Sequence, residues 1–321
     1  MKTVFKAIYL LLCVVIVISN ASCANSSNGM DNDKISVICT AFPQYDWVRE
    51  IAGERLENFE IILLTDNGID MHSYQPTVDD IIKISDCDLI ISVGGSSEKW
   101  VEDAVKNSSN PDVHQIKLIE VLGEKALFTD FAHNCDDEHD HTGEYDEHVW
   151  LSLKNSMIFC EEIAENMAEL DSDNAELYDA NCRNYIEQLS QLDLSVQEGV
   201  ESADHSTLLF ADRFPFRYFI NDYGLEYCAA FDGCTSDSEA SFDTIFTLSE
   251  TINKLGLDTV LTVDGSDGKI AQTVVSNTKT KNQQILLLES IQSVSRDEID
   301  NGATYLSFMQ SNVQTILKAL H

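Results

Sequence analysis

The sequence predicts an α/β protein with two similar lobes, each built on a mainly parallel sheet, joined by a long helix. Short apolar runs rich in β-branched residues alternate with segments whose apolar residues recur every three or four positions. This alternation occurs twice, before and after a region with helical spacing alone. Parallel strands are buried on both faces and need helical crossovers, which fits the continuous apolar runs.

The first set of alternating elements defines a predicted N-terminal lobe, residues 34–170. Asp79 and Asp80 follow Thr77 at the start of a helical pattern, where a hydroxyl can cap the first turn and acidic side chains are favourable. Thr77 is therefore predicted to begin a helix. The other predicted elements of this lobe are strands at 35–39, 59–64 and 89–93 and helices at 43–54 and 153–170.

The linking helix is predicted within residues 171–203, with its pattern running from 174 to about 200. At about 1.5 Å per residue its length would exceed roughly 35 Å, the width of a domain. The C-terminal lobe is then predicted over residues 204–321. Its strands are predicted at 207–210, 225–231, 259–263 and 284–288, and its helices at 214–223, 242–255, 266–276 and 303–320.

The net charge restricts the class of partner. Twenty Lys and Arg residues oppose 55 Asp and Glu residues among 321, which gives −35 with neutral histidine. Proteins that bind nucleic acid present a basic surface to the phosphates, so we expect no nucleic-acid partner. Cations are the natural partners of such a chain.

The N-terminus predicts export. Residues 1–22 have two lysines before an apolar run that is too short for a stable membrane span, the layout of a secretory signal peptide. Ala21 and Ser22 lead to Cys23, and this order resembles the lipobox of bacterial lipoproteins. Cys23 is therefore predicted to carry a lipid that anchors the chain to the outer face of the bacterial cell membrane, with residues 23–33 as a flexible tether. The alternative is an ordinary cleaved signal in which Cys23 is incidental.

The remaining cysteines do not form a zinc-finger pattern. Cys228 and Cys234 lie six positions apart in a loop-like stretch and are the candidate disulfide pair in an oxidising compartment. Cysteines inside strand or helix patterns are predicted to be small buried residues; they are Cys39, Cys87, Cys160 and Cys182.

Histidine and acidic residues concentrate between positions 133 and 148. This segment holds four of the eight histidines: His133, His139, His141 and His148. Imidazole beside carboxylate suits zinc and neighbouring divalent ions. Loop 133–147 is therefore predicted to be an auxiliary metal-binding loop, with a solvated acidic loop as the alternative. His148 differs, because an apolar segment begins directly after it.

Three motifs give the chain a specific resemblance. They are DMHSYQPT at 70–77, DEHVWL at 146–151 followed by Lys154 and Asn155, and YGL at 223–225. Together they resemble the zinc and manganese solute-binding lipoproteins of ABC transporters, the cluster A-I proteins, over almost the whole mature chain. The resemblance implies two α/β lobes joined by a rigid helix, with one metal ion in the cleft between them.

The resemblance also implies metal ligands. His72 and His148 match the two histidines of the first lobe, and Asp264 matches a carboxylate of the second. Asp264 follows the predicted strand 259–263, at the strand end where α/β sheets bind ligands. Glu147 adjoins His148 and is predicted either to orient a ligand or to enter the coordination shell.

One departure concerns the family's third histidine, in a His-x-x-Phe motif. In the segment FADRFPF at 210–216, that position falls on Ala211 or Arg213, and neither side chain ligates a cation. Asp212 or water is predicted as the fourth ligand, unless a loop histidine such as His141 enters the site. The alternative for Asp212 is an ion pair with Arg213 or Arg217.

The predicted function is therefore that of a monomeric, non-enzymatic protein that captures Zn²⁺ outside the cytoplasm and delivers it to an ABC permease. Mn²⁺ is the alternative cargo, because carboxylate-rich ligation suits it. A secreted zinc-dependent hydrolase is a second alternative, although the sequence has neither an HExxH nor a GxSxG motif. A role in cell adhesion on the same scaffold is a third.

Overall fold

The computed structural model describes residues 34–129, 143–231 and 240–321. They contain two four-stranded parallel sheets, ordered β2-β1-β3-β4 and β6-β5-β7-β8. The predicted fold class, two α/β lobes with parallel sheets, is confirmed. No helix within these ranges is both long and apolar enough to cross a membrane.

The first sheet and its helices occupy the first half of the chain. In register, Val37 of the central strand pairs with Ile61 on one side and Leu89 on the other. The elements are β1 (Ile35–Cys39), α1 (Phe42–Ala52), β2 (Phe59–Leu63), α2 (Val78–Asp86), β3 (Leu89–Ser92), α3 (Lys99–Lys106), β4 (His114–Lys117), α4 (Leu118–Leu122) and α5 (Leu153–Leu170).

Two details of this half test the sequence patterns. Thr77 caps α2 as predicted, since its hydroxyl accepts the backbone N–H of Asp80. Strand β4 was not predicted, because its sequence HQIK is short, mostly polar and only partly buried at the sheet edge.

A single long helix, α6 (Ala175–Glu201), follows the first half and packs along α5. Its buried residues recur at helical spacing, at Tyr178, Cys182, Tyr185, Leu189 and Val196. This face contributes to the largest hydrophobic core, which includes side chains from both sheets. The helix is therefore held by the core along its length.

The second sheet and its helices follow α6. Helix α7 begins three residues later than predicted. Pro215 disfavours a helical conformation in Phe214, and Phe216, which precedes the helix, is itself non-helical. The elements are β5 (Thr207–Phe210), α7 (Arg217–Tyr223), β6 (Glu226–Ala229), α8 (Phe242–Leu255), β7 (Thr259–Val263), α9 (Lys269–Asn277), β8 (Gln284–Leu288), α10 (Arg296–Asp300) and α11 (Tyr305–Leu320).

The turn after His148 lies in the core between elements of both halves. The Trp150 indole N–H donates to the Ser290 carbonyl at 2.8 Å, and the Tyr305 hydroxyl donates to the Trp150 carbonyl at 2.6 Å. Trp150 and Tyr305 have no exposed surface. The backbone beside His148 is thus fixed by residues far away in sequence.

The four cysteines predicted to be small buried residues are buried; they are Cys39, Cys87, Cys160 and Cys182. Cys228 is partly buried in β6. Cys234 lies outside the described residues, so its pairing with Cys228 stays a prediction. Cys23 and the predicted signal and tether also lie outside them.

Candidate metal site

His72 lies in a single 3₁₀ turn, Met71–Ser73, between β2 and α2. Asp70 begins this turn, and its Oδ1 accepts the backbone N–H of His72 at 2.9 Å. The Met71 side chain is buried in the main core. The turn is therefore held by a cap on one side and by an apolar anchor on the other.

His148 precedes a similar turn, Val149–Leu151. Asp146 Oδ1 accepts two bonds from it, one from the backbone N–H at 2.9 Å and one from ring Nδ1 at 2.8 Å. Arg217 Nε lies 3.3 Å from the other Asp146 oxygen. Burial opposes ionisation of Asp146, but His148 and Arg217 outweigh it and hold the pKa of this carboxyl below its ordinary value.

The two imidazoles meet through their Nε2 atoms, which lie 3.2 Å apart. His72 Nδ1 lies 3.1 Å from Glu147 Oε2 and 2.9 Å from Ser97 Oγ, while His148 Nδ1 faces Asp146. A carboxylate can only accept a hydrogen bond, so both rings satisfy their partners by carrying the proton on Nδ1. When both rings are neutral, each Nε2 keeps a lone pair, and the two Nε2 atoms are close enough to bind one cation.

The two Nε2 atoms share a hydrogen bond when one ring carries a second proton; when both rings are neutral, they can bind one metal cation between them. In a tetrahedral zinc site with Zn–N bonds of about 2.0–2.1 Å, two ligating nitrogens are about 3.3–3.4 Å apart. The observed 3.2 Å is close to this spacing. The histidine pair therefore fits a shared divalent cation, with each ring oriented by a carboxylate as in many zinc sites.

Glu147 belongs to the His148 turn but contacts the ring of His72. Its other oxygen, Oε1, accepts the Ser97 backbone N–H at 2.8 Å and the Ser96 hydroxyl at 3.2 Å. Burial opposes ionisation, yet the bonds from His72 and Ser97 lower the pKa of Glu147 to about 2. Glu147 thus holds the ring of His72 in place, and the two roles predicted for it, orienting a metal ligand or entering the coordination shell, stay predictions.

The histidines and their carboxylates line a cavity of about 240 Å³. The remaining lining residues are Ser96, Ser97, Thr129, Glu144 and Tyr145. Within the described ranges, no group of three or more His, Cys, Asp or Glu side chains is arranged to hold a metal ion. The described structure therefore assembles two nitrogen donors and the groups that orient them.

Asp264 lines a separate cavity of about 390 Å³ together with Asp70, Arg213, Glu289 and other residues. Its Oδ1 accepts the Ser290 backbone N–H at 2.6 Å. Among the residues that the structure describes, Asp264 does not form a ligand group with the histidine pair. Its role as a metal ligand stays a prediction.

Asp212 is engaged by the backbone at the ends of β5 and β7. Its two oxygens accept N–H groups of Arg213 at 2.8 Å and Val263 at 3.1 Å. The guanidinium of Arg213 instead lies 3.5 Å from Asp70, and that of Arg217 lies against Asp146. The described contacts thus give Asp212 a structural role, and its function as fourth ligand stays a prediction.

Sequence reasoning missed the roles of Asp70, Asp146 and Ser97. The signal for two of them was present, because Asp70 precedes His72 by two residues and Asp146 precedes His148 by two. In both places the carboxylate accepts the histidine backbone N–H at 2.9 Å. Ser97 carried no such signal. The auxiliary loop histidines His133, His139 and His141 lie outside the described residues.

Comparison with known proteins decides the family. The model of the ZnuA family, described as zinc-uptake complex component A, periplasmic, matches residues 37–319. The chain belongs to the ZnuA family. The predicted resemblance to zinc and manganese solute-binding lipoproteins is thereby confirmed. Members of this family are binding components of transporters rather than enzymes, which agrees with the predicted absence of catalysis and not with a hydrolase.

Several ZnuA-like relatives have related sequences. The zinc-binding protein AdcA of Streptococcus pyogenes serotype M1 is 26% identical over 321 residues, covering 97% of this chain and 61% of the relative. The chain thus spans about three fifths of the length of the AdcA relatives. The metal ABC transporter substrate-binding lipoprotein SsaB of Streptococcus sanguinis is 25% identical, with 97% and 98% coverage.

Solved structures share the ZnuA-like fold. Zn(II)-bound AdcA from Streptococcus pneumoniae superposes with a TM-score of 0.70 at 24% identity, covering 89% of this chain and 58% of that one. The metal-dependent lipoprotein YcdH from Bacillus subtilis gives a TM-score of 0.73 at 22% identity, covering 90% and 100%. At these identities the likeness establishes the fold.

Proposed function

We propose that this chain captures Zn²⁺ outside the cytoplasm and delivers it to an ABC permease for import. The observation that carries the proposal is the histidine pair, with Nε2 atoms 3.2 Å apart and each Nδ1 facing a carboxylate. Such a pair is prepared for a soft-to-borderline divalent cation before the ion arrives. Membership of a zinc-uptake family supports import as the process that uses it.

The remaining coordination positions belong to residues of the second lobe or to water. Asp264 is the proposed carboxylate ligand, and Asp212 or water the proposed fourth. Two imidazoles favour Zn²⁺ over Mn²⁺, which prefers oxygen ligands. Mn²⁺ stays the alternative cargo, since a structurally similar periplasmic metal binding protein from Candidatus Liberibacter asiaticus is Mn-bound. His133, His139 and His141 are proposed to collect ions near the site.

The location follows from the proposed export signal. A lipid on Cys23 and the tether 23–33 would hold the monomer at the outer face of the membrane, within reach of the permease. Relatives named as lipoproteins support this arrangement. Replacing Cys23 by Ala is expected to release the protein into the medium, which fractionation of cells would measure. Retention of Cys23→Ala in the membrane fraction would contradict the anchor.

Zinc titration by calorimetry, in competition with a chelator, tests the binding site. The double variant His72→Ala/His148→Ala is expected to lose tight zinc binding, both with the acidic loop intact and with residues 133–145 removed. His114→Ala is the matched control, since that ring bonds to Asn166 at 3.0 Å and lies outside the lining of the site cavity. A single tight zinc site left unchanged in the double variant would exclude the proposed pair. Parallel titration with Mn²⁺ decides the cargo.

Uptake tests the delivery step. Cells that depend on this chain for zinc should lose uptake of radioactive zinc when it carries the double histidine substitution. The His114→Ala control should restore uptake to the wild-type rate. Normal uptake with the double variant would show that the site does not supply the permease.

A further inference from the structure

A buried turn after β8, Ser290–Gln292, contacts both histidine-bearing segments. The Ser290 carbonyl accepts the indole N–H of Trp150 at 2.8 Å, and Trp150 lies two residues after His148. Gln292 Nε2 donates to Oδ2 of Asp70 at 3.0 Å, and Asp70 lies two residues before His72. Gln292 is only 2% exposed. One short segment of the second half therefore contacts a side chain two residues from each histidine.

The conformation of this turn is unusual for its sequence. Ile291 adopts φ of 61°, the left-handed region that β-branched residues strongly avoid. Such a conformation persists only where the surroundings hold it, and it is often found at functional sites. Here Asp264 Oδ1 accepts the Ser290 N–H, and the Asn312 side chain exchanges two 2.8 Å hydrogen bonds with the Glu289 backbone.

Asp70 transmits this contact to His72. Its Oδ1 accepts the His72 N–H at 2.9 Å, and its Oδ2 accepts the Gln292 amide. Arg213 Nη1 also approaches Oδ2, but at 3.5 Å and with both side chains one-quarter exposed. The bond from the buried amide is shorter than the contact with the partly exposed guanidinium, so it fixes the position of the Asp70 carboxylate more closely. If the Gln292 amide were turned around, its oxygen would face the Asp70 carboxylate, and both groups can only accept hydrogen bonds. The amide NH₂ group therefore faces Asp70.

We propose that Gln292 is a positioning residue for metal binding, which acts through Asp70 on the turn that carries His72. The second lobe thereby sets the separation of the two imidazoles without donating a ligand through this residue. This inference rests on the proposed zinc function and extends it to a residue 220 positions from His72 in the sequence.

The test uses the full mature chain and Zn²⁺ as the probe. Gln292→Met keeps the length and apolar stem of the side chain but removes the amide donor. We expect zinc affinity to fall about 10–100-fold, the usual effect of losing a group that orients a ligand. Gln292→Glu places a carboxylate against Asp70 and should weaken binding further. Gln272→Met, exposed on α9, is the control and should bind as wild type.

A double-substitution cycle separates positioning from a general loss of structure. Asp70→Ser keeps a hydroxyl that can still cap the His72 turn but is too short to reach Gln292. In the Asp70→Ser background, Gln292→Met should change zinc affinity less than twofold. The visible absorption of bound Co²⁺ should shift in Gln292→Met alone, because the relative placement of the imidazoles changes.

The outcomes are distinct for the two proposals. Wild-type affinity in Gln292→Met or Gln292→Glu overturns the positioning role, as does an equal loss in the wild-type and Asp70→Ser backgrounds. Loss confined to the wild-type background supports it. If the wild type binds zinc no better than His72→Ala/His148→Ala, the proposed function itself has failed.

Discussion

Replacing Gly95 by Ala should displace Glu147 from His72 without straining the backbone. Gly95 has φ of −89° and ψ of −169°, an extended conformation open to any residue. A Cβ built there would lie 2.2 Å from Glu147 Oε1 and 2.4 Å from its carboxyl carbon. The substitution therefore acts through one contact, at the group that orients the His72 ring.

The size of the effect follows from this overlap. Ordinary contact begins at 3.4 Å, so the carboxylate must retreat by about 1.2 Å. Its 2.8 Å hydrogen bond from the Ser97 N–H and its 3.1 Å ion-pair contact with His72 Nδ1 cannot survive such a shift. Losing an orienting carboxylate weakens metal binding about 10–100-fold, which equals about 1.4–2.7 kcal/mol of binding free energy.

The assay is competitive zinc titration with thermal unfolding of the metal-free protein alongside it. Gly199→Ala is the steric control, because its Cβ would lie 2.4 Å from Leu317 Cδ2 in the packing of α6 against α11. That variant should lose stability and keep zinc affinity. In a Glu147→Ala background, Gly95→Ala should have almost no effect on affinity. Wild-type affinity in Gly95→Ala, or an equal loss with and without Glu147, would refute the reasoning.

Three further predictions concern stability and pH. Burial, opposed by the Tyr305 N–H, raises the pKa of Asp46 from 3.8 to about 7, so its ionisation lowers stability as pH rises from about 4 to 7. Asp46→Asn cannot ionise, so its free energy of unfolding should rise relative to that of the wild type as pH increases, by up to about 4 kcal/mol at pH 8. Urea unfolding measures this difference, and a value that stayed constant from pH 5 to 8 would contradict the prediction. Thr77→Ala removes the cap of α2 and should lower the free energy of unfolding by about 1 kcal/mol with zinc affinity unchanged; an unchanged urea midpoint would count against the cap. Zinc affinity of the wild type should fall on acidification from pH 8 to 5, because ligating imidazoles must be neutral; titrations giving one affinity across this range would exclude histidine ligation.

Several elements were predictable because their signal is local. Strands β1, β5, β7 and β8 are continuous apolar runs, and their observed bounds match the predicted ones. Helices α5 and α8 also match, since their apolar residues recur at helical spacing. Strand β4 was missed because it depends on pairing with β3. The late start of α7 was missed although Pro215, within FADRFPF, is a local signal.

The sequence by itself determined the two-lobed α/β class, the acidic character and the two histidine motifs, each with an aspartate two residues earlier. These features depend on spacing within a few residues, which periodicity and local hydrogen bonding record. The resemblance already implied that His72 and His148, 76 residues apart, share one metal ion, and the tertiary structure supplied the distance between them. Only the tertiary structure decided that Asp70 meets Gln292, 222 residues away. Such contacts arise where loops of separate elements converge, and hydrophobic periodicity carries no information about that convergence. The tertiary structure also placed the Glu147 carboxylate against His72 rather than against its sequence neighbour His148, because the two histidine-bearing turns line the same cavity.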